Sequence, residues 1–191
     1  ESYPKKDFFS KLAFKMLGVK NNNAEEFVKA NVQIKTVRLE YNNTIKESMS
    51  FKCFKFKQLA KEKWETSTFG TMLKETKFLL VVYKYTEYGT LELVGCQFWN
   101  MPISVIEKYV KPVWEDTVKI INSGVVFEKK GNKHKYFFPR KSKNPVCHVR
   151  THGQDNKDTY DLPNGIPCPK QCFWLNNTYI LSQLDKKFLE Y

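Results

Sequence analysis

Apolar positions along the chain change period from block to block, and each period implies a different element. Phe8, Phe9, Leu12, Ala13, Met16 and Leu17 recur at helical spacing, with Gly18 placed where a helix would stop. Asn21-Asn22-Asn23 marks a loop, and Val32 to Glu40 reads as a strand. Phe51 and Cys53, with Phe54 and Phe56, suggest a second strand with a mixed face, while Phe56 to Trp64 and Phe69 to Glu75 read as short helical pieces. Lys77 to Tyr85 contains the continuous apolar run Phe78 to Tyr83, the mark of a buried central strand. Leu91 to Trp99 is expected to pair with it through Glu87-Tyr88-Gly89-Thr90.

Pro102 suits the first turn of a long helix ending before Gly124. Ile106, Tyr109, Val110, Val113, Trp114, Thr117 and Ile121 form its apolar stripe, and a kink is expected near Pro112. Val125–Phe127 and Lys135–Phe138 read as a hairpin around Lys130-Gly131-Asn132. Val146–Arg150 and Gln171–Leu175 are further strand candidates, separated by a loop rich in Asp, Asn, Gly and Pro. A final helix from about Asn177 would bury Ile180, Leu181, Leu184 and Phe188. Helices and strands mix without strict alternation, which predicts an α/β or α+β fold built on a mixed sheet flanked by helices.

Composition narrows the class. The chain has 191 residues, and its 15 Phe, 10 Tyr and 4 Trp supply enough apolar surface to exclude disorder. No repeat, low-complexity tract or linker divides it, so a single domain over 1–191 is expected. No apolar stretch approaches the ~18 residues of a spanning helix, and no secretory leader is expected. The chain opens on Glu1 without Met, as a fragment of a longer protein would. Five cysteines, an odd number spread through a core-sized chain, argue for reduced thiols and a cytoplasmic protein.

Charge points to a partner. Lys and Arg number 32 against 20 Asp and Glu, a net +12, and a pI of 9.4 predicts a polyanion. The excess is localised: Lys129 to Gln154 holds eight Lys and Arg and no acid, together with His134, His148 and His152. Such a segment can track phosphates, and a solvated basic loop would look the same at this level. Cys147, His148, His152, Cys168 and Cys172 crowd one region, but their irregular spacing does not match structural zinc. No G-x-x-x-x-G-K-[ST], G-x-G-x-x-G or G-x-S-x-G motif occurs. The remaining catalytic pattern is the metal-dependent nuclease strand, in which two carboxylates hold Mg²⁺ and a lysine approaches the phosphate. Glu25-Glu26 precedes Val32-Gln33-Ile34-Lys35-Thr36-Val37 in that arrangement, but Gln33 is an uncharged amide.

That strand resembles the active-site strand of the MutH family, which comprises the mismatch-repair nuclease and the GATC-cutting type II restriction endonucleases. The family pattern is an acid, a six-residue spacer and Glu-Leu-Lys-Thr, and the matching positions here are Glu26, Gln33 and Lys35. A second block, Trp64-Glu65-Thr66-Ser67, precedes a further family lysine whose place falls on Met72. Lys46–Phe51, Trp114–Val118, Cys147–His152 and Lys170–Asn177 are similar to later blocks. Together they most resemble the non-catalytic, DNA-binding C-terminal half of the two-domain GATC enzymes. Thr151 departs from the family's usual proline.

The resemblance implies a restriction-endonuclease-like, MutH-type fold, with Glu26, Gln33, Lys35 and Met72 as a degenerate site and no catalytic or metal-binding residue in this chain. It implies base contacts from Arg150, His152 and Trp174, with Gly153 and Lys170 close by. Lys133, Lys135, Arg140, Lys141 and Lys143 would take phosphates, setting register without reading sequence. The implied partners are double-stranded GATC DNA and the catalytic N-terminal domain of a bacterial parent enzyme, which would use Mg²⁺. This domain would need no cofactor and no membrane. An active Mg²⁺-dependent GATC endonuclease is the alternative, and a basic module for a protein or an anionic membrane is an alternative of another class.

Overall fold

The structure is a computed structural model. It describes residues 8–190 except 17, 19, 21–24, 126, 131, 132 and 156, and only the backbone of residues 9, 10, 129, 130 and 133–135. The Asn21-Asn22-Asn23 loop, Leu17 and the hairpin tip Gly131-Asn132 lie outside the described residues. In chain order the elements are α1 (Phe8–Met16), α2 (Glu25–Lys29), β1 (Val32–Leu39), β2 (Met49–Ser50), α3 (Phe56–Leu59), α4 (Thr68–Glu75), β3 (Lys77–Tyr85) and β4 (Leu91–Trp99). There follow α5 (Ile103–Val105), α6 (Lys111–Asn122), β5 (Phe127–Lys130), β6 (Lys133–Tyr136), β7 (Cys147–Thr151), β8 (Thr159–Asp161), β9 (Pro167–Pro169), β10 (Gln171–Leu175) and α7 (Asn177–Gln183). The chain divides into two compact units, one of residues 1–47, 73–101 and 181–191, the other of 48–72 and 102–180.

The first unit is built on a three-stranded mixed sheet in the order β1-β3-β4. β3 lies at its centre, parallel to β1 and antiparallel to β4. Its apolar run explains the position, because a strand flanked by two others and covered on both faces has no side for polar residues. Phe78, Leu80 and Val82 are fully buried. Ala13 of α1 packs with Ile34, Leu79, Val81 and Tyr83, so α1 covers one face of the sheet. Gln33 and Lys35 alternate with Ile34 and therefore share the opposite face of β1.

The second unit holds an antiparallel sheet in the order β2-β10-β7 and the hairpins β5-β6 and β8-β9. All five residues of β10 are buried. The expected strand through Phe51–Phe56 is replaced by two residues of β2 and an irregular stretch. That stretch keeps hydrogen bonds from Phe51 N to Phe173 O and from Phe54 N to Gln171 O, both 3.1 Å. The reason is packing: Phe51 meets Phe69 at 5.4 Å, Phe54 meets Phe173 at 5.0 Å, and Phe56 stacks on Phe138 at 6.2 Å. A regular strand would send residues 51 and 54 to opposite faces.

The helix expected from Pro102 forms in three pieces. Pro102 caps α5 in an extended conformation, a π-helical turn spans Ile106–Val110, and α6 begins at Lys111. Pro112 thus falls directly after the wider π turn, in the first turn of α6, so the irregularity of the helix sits where the proline was expected to disturb it. The hairpin β8-β9 went unforeseen, since Thr159–Asp161 and Pro167–Pro169 lack apolar alternation and are joined through Gly165 at φ 84°. Among the described residues, no helix is long and apolar enough to cross a membrane.

A bulge in β4 sets one glycine requirement. Val82 pairs with Gly95 and Tyr83 with Leu93, so Val94 is the extra residue. Gly95 has φ 146°, and a Cβ there would lie 2.8 Å from Cε1 of Phe188, a ring that is 1% exposed. Gly95→Ala should therefore destabilise the protein by about 1–3 kcal/mol in a denaturant titration, with Phe188→Leu in the same chain recovering part of the loss.

Candidate nucleic-acid interface

The pairing of β7 with β10 brings the basic segment onto an aromatic base. Register places His148 opposite Trp174 and Arg150 opposite Cys172. Because side chains alternate, His148, Arg150 and His152 all project on the face that carries Trp174. The indole is the centre of the group. His148 stacks beside it at 6.3 Å, His152 meets it edge-on at 5.0 Å, and the Arg150 guanidinium lies 5.5 Å from its ring centroid. Trp174 is only 9% exposed, and its Nε1 donates to the Arg150 carbonyl at 3.2 Å. It acts as a platform that fixes Arg150 both by its backbone and by a cation–π contact.

Arg150 is exposed and pairs with no carboxylate among the described residues. An exposed guanidinium without an acid partner is a group able to donate twice to a guanine edge. His148 beside it is buried, with Nδ1 2.6 Å from Asn176 Oδ1. Asn176 Nδ2 donates to Asn144 O at 2.7 Å, and Asn144 Nδ2 donates to Tyr109 O at 2.9 Å. This orientation makes Asn176 Oδ1 the acceptor, so the His148 proton sits on Nδ1. Burial pushes the His148 pKa below its ordinary value, and the cations Lys141 and Arg150 push the same way. The ring is thus neutral at pH 7, and it lies stacked against Trp174.

The proposed phosphate contacts are spread over neighbouring segments. Pro139 O accepts from Val149 N at 2.9 Å, which lays Phe137–Arg140 along β7. Arg140 is exposed with its guanidinium 5.3 Å from the Phe137 ring. Lys141 and Lys143 stand exposed on a 3₁₀ turn, where Lys141 donates to Asn177 Oδ1. Lys133 and Lys135 lie on β6, opposite Lys130 and Glu128, and their side chains fall outside the described residues. Lys119 of α6, Arg140 and Lys143 line one open cavity of about 670 Å³ together with Phe137 and Asp116.

Gly153 and Lys170 lie just beyond the strands. Lys170 is ion-paired with Asp158, and a Cβ on Gly153 would come within 3.1 Å of the carbonyl oxygens of Asp155 and Asp158. The alternation His148-x-Arg150-x-His152 was the signal that could have singled out His148. Nothing in the sequence marked Asp158.

The positions of the nuclease pattern lie on other elements. Glu26 is exposed on α2, Gln33 and Lys35 are partly buried on β1, and Met72 lies on α4. Gln33 Oε1 is buried with no hydrogen-bond partner. An amide oxygen gives Mg²⁺ a weak, uncharged ligand, and a thioether at Met72 cannot assist a phosphate. This donor set does not fit a Mg²⁺ site. Among the described residues, no three His, Cys, Asp or Glu side chains come together as a metal centre. The five cysteines are free thiols, and burial pushes that of Cys168 up to about 12.

The chain is a mixed α/β protein whose β7–β10 pair carries a basic face built on an aromatic ring, as a protein that meets a polyanion would. Comparison with known sequences agrees. The family described as DNA mismatch repair enzyme MutH matches residues 17–97. The type II restriction enzyme Sau3AI of Staphylococcus aureus is 37% identical over 194 aligned residues, covering 84% of this chain. The chain belongs to the MutH family. The aligned region spans 40% of the length of the Staphylococcus enzyme.

The neutral, buried His148 carries a pH signature. Its pKa is lower in the folded state, so on acidification the unfolded chain takes up the proton first, and stability falls as pH drops below about 6.5. His148→Gln should cost about 1–3 kcal/mol at pH 7.5, through disturbance of the Asn176 hydrogen bond. It should also flatten the pH dependence of thermal unfolding between pH 5 and about 7.

Proposed function

We propose that this chain is one MutH-like domain, over residues 1–191, of a longer type II restriction endonuclease of the bacterial cytoplasm. It binds double-stranded DNA at GATC and serves as an effector domain. The observation that carries this reading is the seating of Arg150 on Trp174, with His148 and His152 against the same indole, in a segment from Lys129 to Gln154 that holds eight Lys and Arg and no acid. Arg150 and His152 read base edges from that face while Trp174 and Gly153 shape it, and Lys170 borders it. Arg140, Lys141 and Lys143, with Lys133 and Lys135 of the hairpin, take the flanking phosphates.

The donor set at Glu26, Gln33, Lys35 and Met72 supports a domain that does not cut. Cleavage and the Mg²⁺ it needs then belong to the catalytic N-terminal domain of the parent chain. Occupancy of GATC here raises cleavage there only if DNA binds the active arrangement of the parent better than the inactive one. The restriction activity of the Staphylococcus relative is consistent with this assignment of the parent.

In a gel-shift titration the chain should bind a GATC duplex more tightly than a scrambled one, with affinity falling steeply as salt rises. Arg150→Ala should remove about 1–3 kcal/mol of that preference, whereas Lys143→Ala should weaken both duplexes alike and lower the salt slope by about one. Equal affinity of the unaltered chain for the two duplexes would sink the GATC assignment. A GATC plasmid incubated with the chain and Mg²⁺ should stay supercoiled; nicking would make the chain itself the nuclease.

A further inference from the structure

The loop that leaves β7 is tied down by one carboxylate. Asp158 Oδ1 pairs with Lys170 Nζ, and Asp158 Oδ2 accepts from Gln154 N at 3.0 Å. The Asp158 carbonyl accepts from Lys170 N at 3.0 Å, and the Lys170 carbonyl accepts from His152 N at 2.9 Å. The Asp158 carboxylate therefore grips Gln154 and Lys170, and the main-chain hydrogen bonds of Asp158 and Lys170 carry that hold on to His152, two residues beyond Arg150. Asp155 supports it from behind, because its Oδ1 accepts from Lys157 N at 2.7 Å and Asp158 N at 3.0 Å. Gly153 leaves room for this, as any Cβ would press on Asp155 and Asp158.

Lys170 is correspondingly engaged. Its side chain is 25% exposed, and its ammonium lies 4.7 Å from the Tyr160 ring centroid. The hydrogen bond between them holds the Asp158 carboxyl below its ordinary range and the Lys170 ammonium above its own, so the pair stays ionised through neutral pH.

We propose that Asp158 is a positioning residue of the DNA interface, which holds His152 and Arg150 in reading orientation, and that Lys170 is the cation of this clamp rather than a phosphate contact. The proposal rests on the Arg150–Trp174 face being the DNA-binding surface. The opposite assignment, with Lys170 on a phosphate and Asp158 merely repelling DNA, makes opposite predictions. Under that assignment Asp158→Asn frees a cation, and tightens binding to any duplex.

The test combines gel shifts with amide hydrogen exchange on the full chain. Under the clamp, Asp158→Asn and Lys170→Met each reduce the GATC-over-scrambled preference by about fivefold or more. Each leaves scrambled-duplex affinity and the salt slope nearly unchanged, which also reports that the variant is folded. Exchange at the His152 and Gln154 amides quickens in both, without DNA present. The reversed pair, Asp158→Lys with Lys170→Asp, restores the ion pair but leaves Gln154 N without its acceptor, so it recovers slow exchange at His152 and part of the preference but not slow exchange at Gln154.

Tighter binding of both duplexes by Asp158→Asn, or a salt slope reduced by about one in Lys170→Met, would overturn the clamp in favour of the phosphate contact. Unaltered exchange in both single variants would overturn it as well. Quickened exchange with the GATC preference intact would remove Asp158 from recognition. A wild-type chain without GATC preference would instead refute the DNA reading on which the role depends.

Discussion

Burial of the strand Gln171–Leu175 is the constraint on which the second unit depends. A strand covered along its whole length must pair on both edges, and it does so with Met49–Ser50 on one side and Cys147–Thr151 on the other. That second pairing decides which residues surround Trp174. Two strands in antiparallel register carry their side chains in opposed pairs, so fixing Trp174 against His148 also fixes Arg150 and His152 on the same face. A slip of one residue would turn Arg150 into the core and Val149 outward. The buried register thus protects the geometry of an exposed site.

Polar groups under this face are satisfied in a chain that runs from His148 to Asn176, Asn144 and the Tyr109 carbonyl. Such a network costs the fold little while every member has its partner, and it resists rearrangement for the same reason. Burial and the nearby cations Lys141 and Arg150 keep the His148 ring neutral, against the pull of the Asn176 hydrogen bond. The positive charge of the region therefore stays with Arg150 and the exposed Arg140, Lys141 and Lys143, where a polyanion can reach it. A dry aromatic base with charge only at its rim favours strong, directional contacts, since the guanidinium is held before any partner arrives.

The elements that the sequence made legible are those whose pattern is local. The apolar run Phe78–Tyr83 could only be a central strand, and the alternation of Val32–Leu39 and the stripe from Ile106 to Ile121 needed no distant information. Phe51–Phe56 misled because a run of aromatics states that the segment is buried but not that it is regular. Its rings satisfy three different neighbours, and only the positions of Phe69, Phe138 and Phe173 decide the backbone between them. The hairpin at Thr159–Pro169 was invisible for the converse reason, because its polar and proline-rich strands carry no periodic signal.

Sequence alone determined the chemistry available: an acid-free basic segment, an amide and a thioether at two positions of a nuclease pattern, and a family whose members act on DNA. It could do so because charge and donor type belong to each residue whatever its surroundings. Tertiary structure decided which of these groups meet. It set Arg150 on the indole of Trp174, turned His148 from a candidate ligand into a neutral ring against that indole, and joined Asp158 to Lys170 across the loop. Those relations come from the pairing of strands distant in the chain, and the contacts between distant strands depend on register and packing that no local pattern encodes.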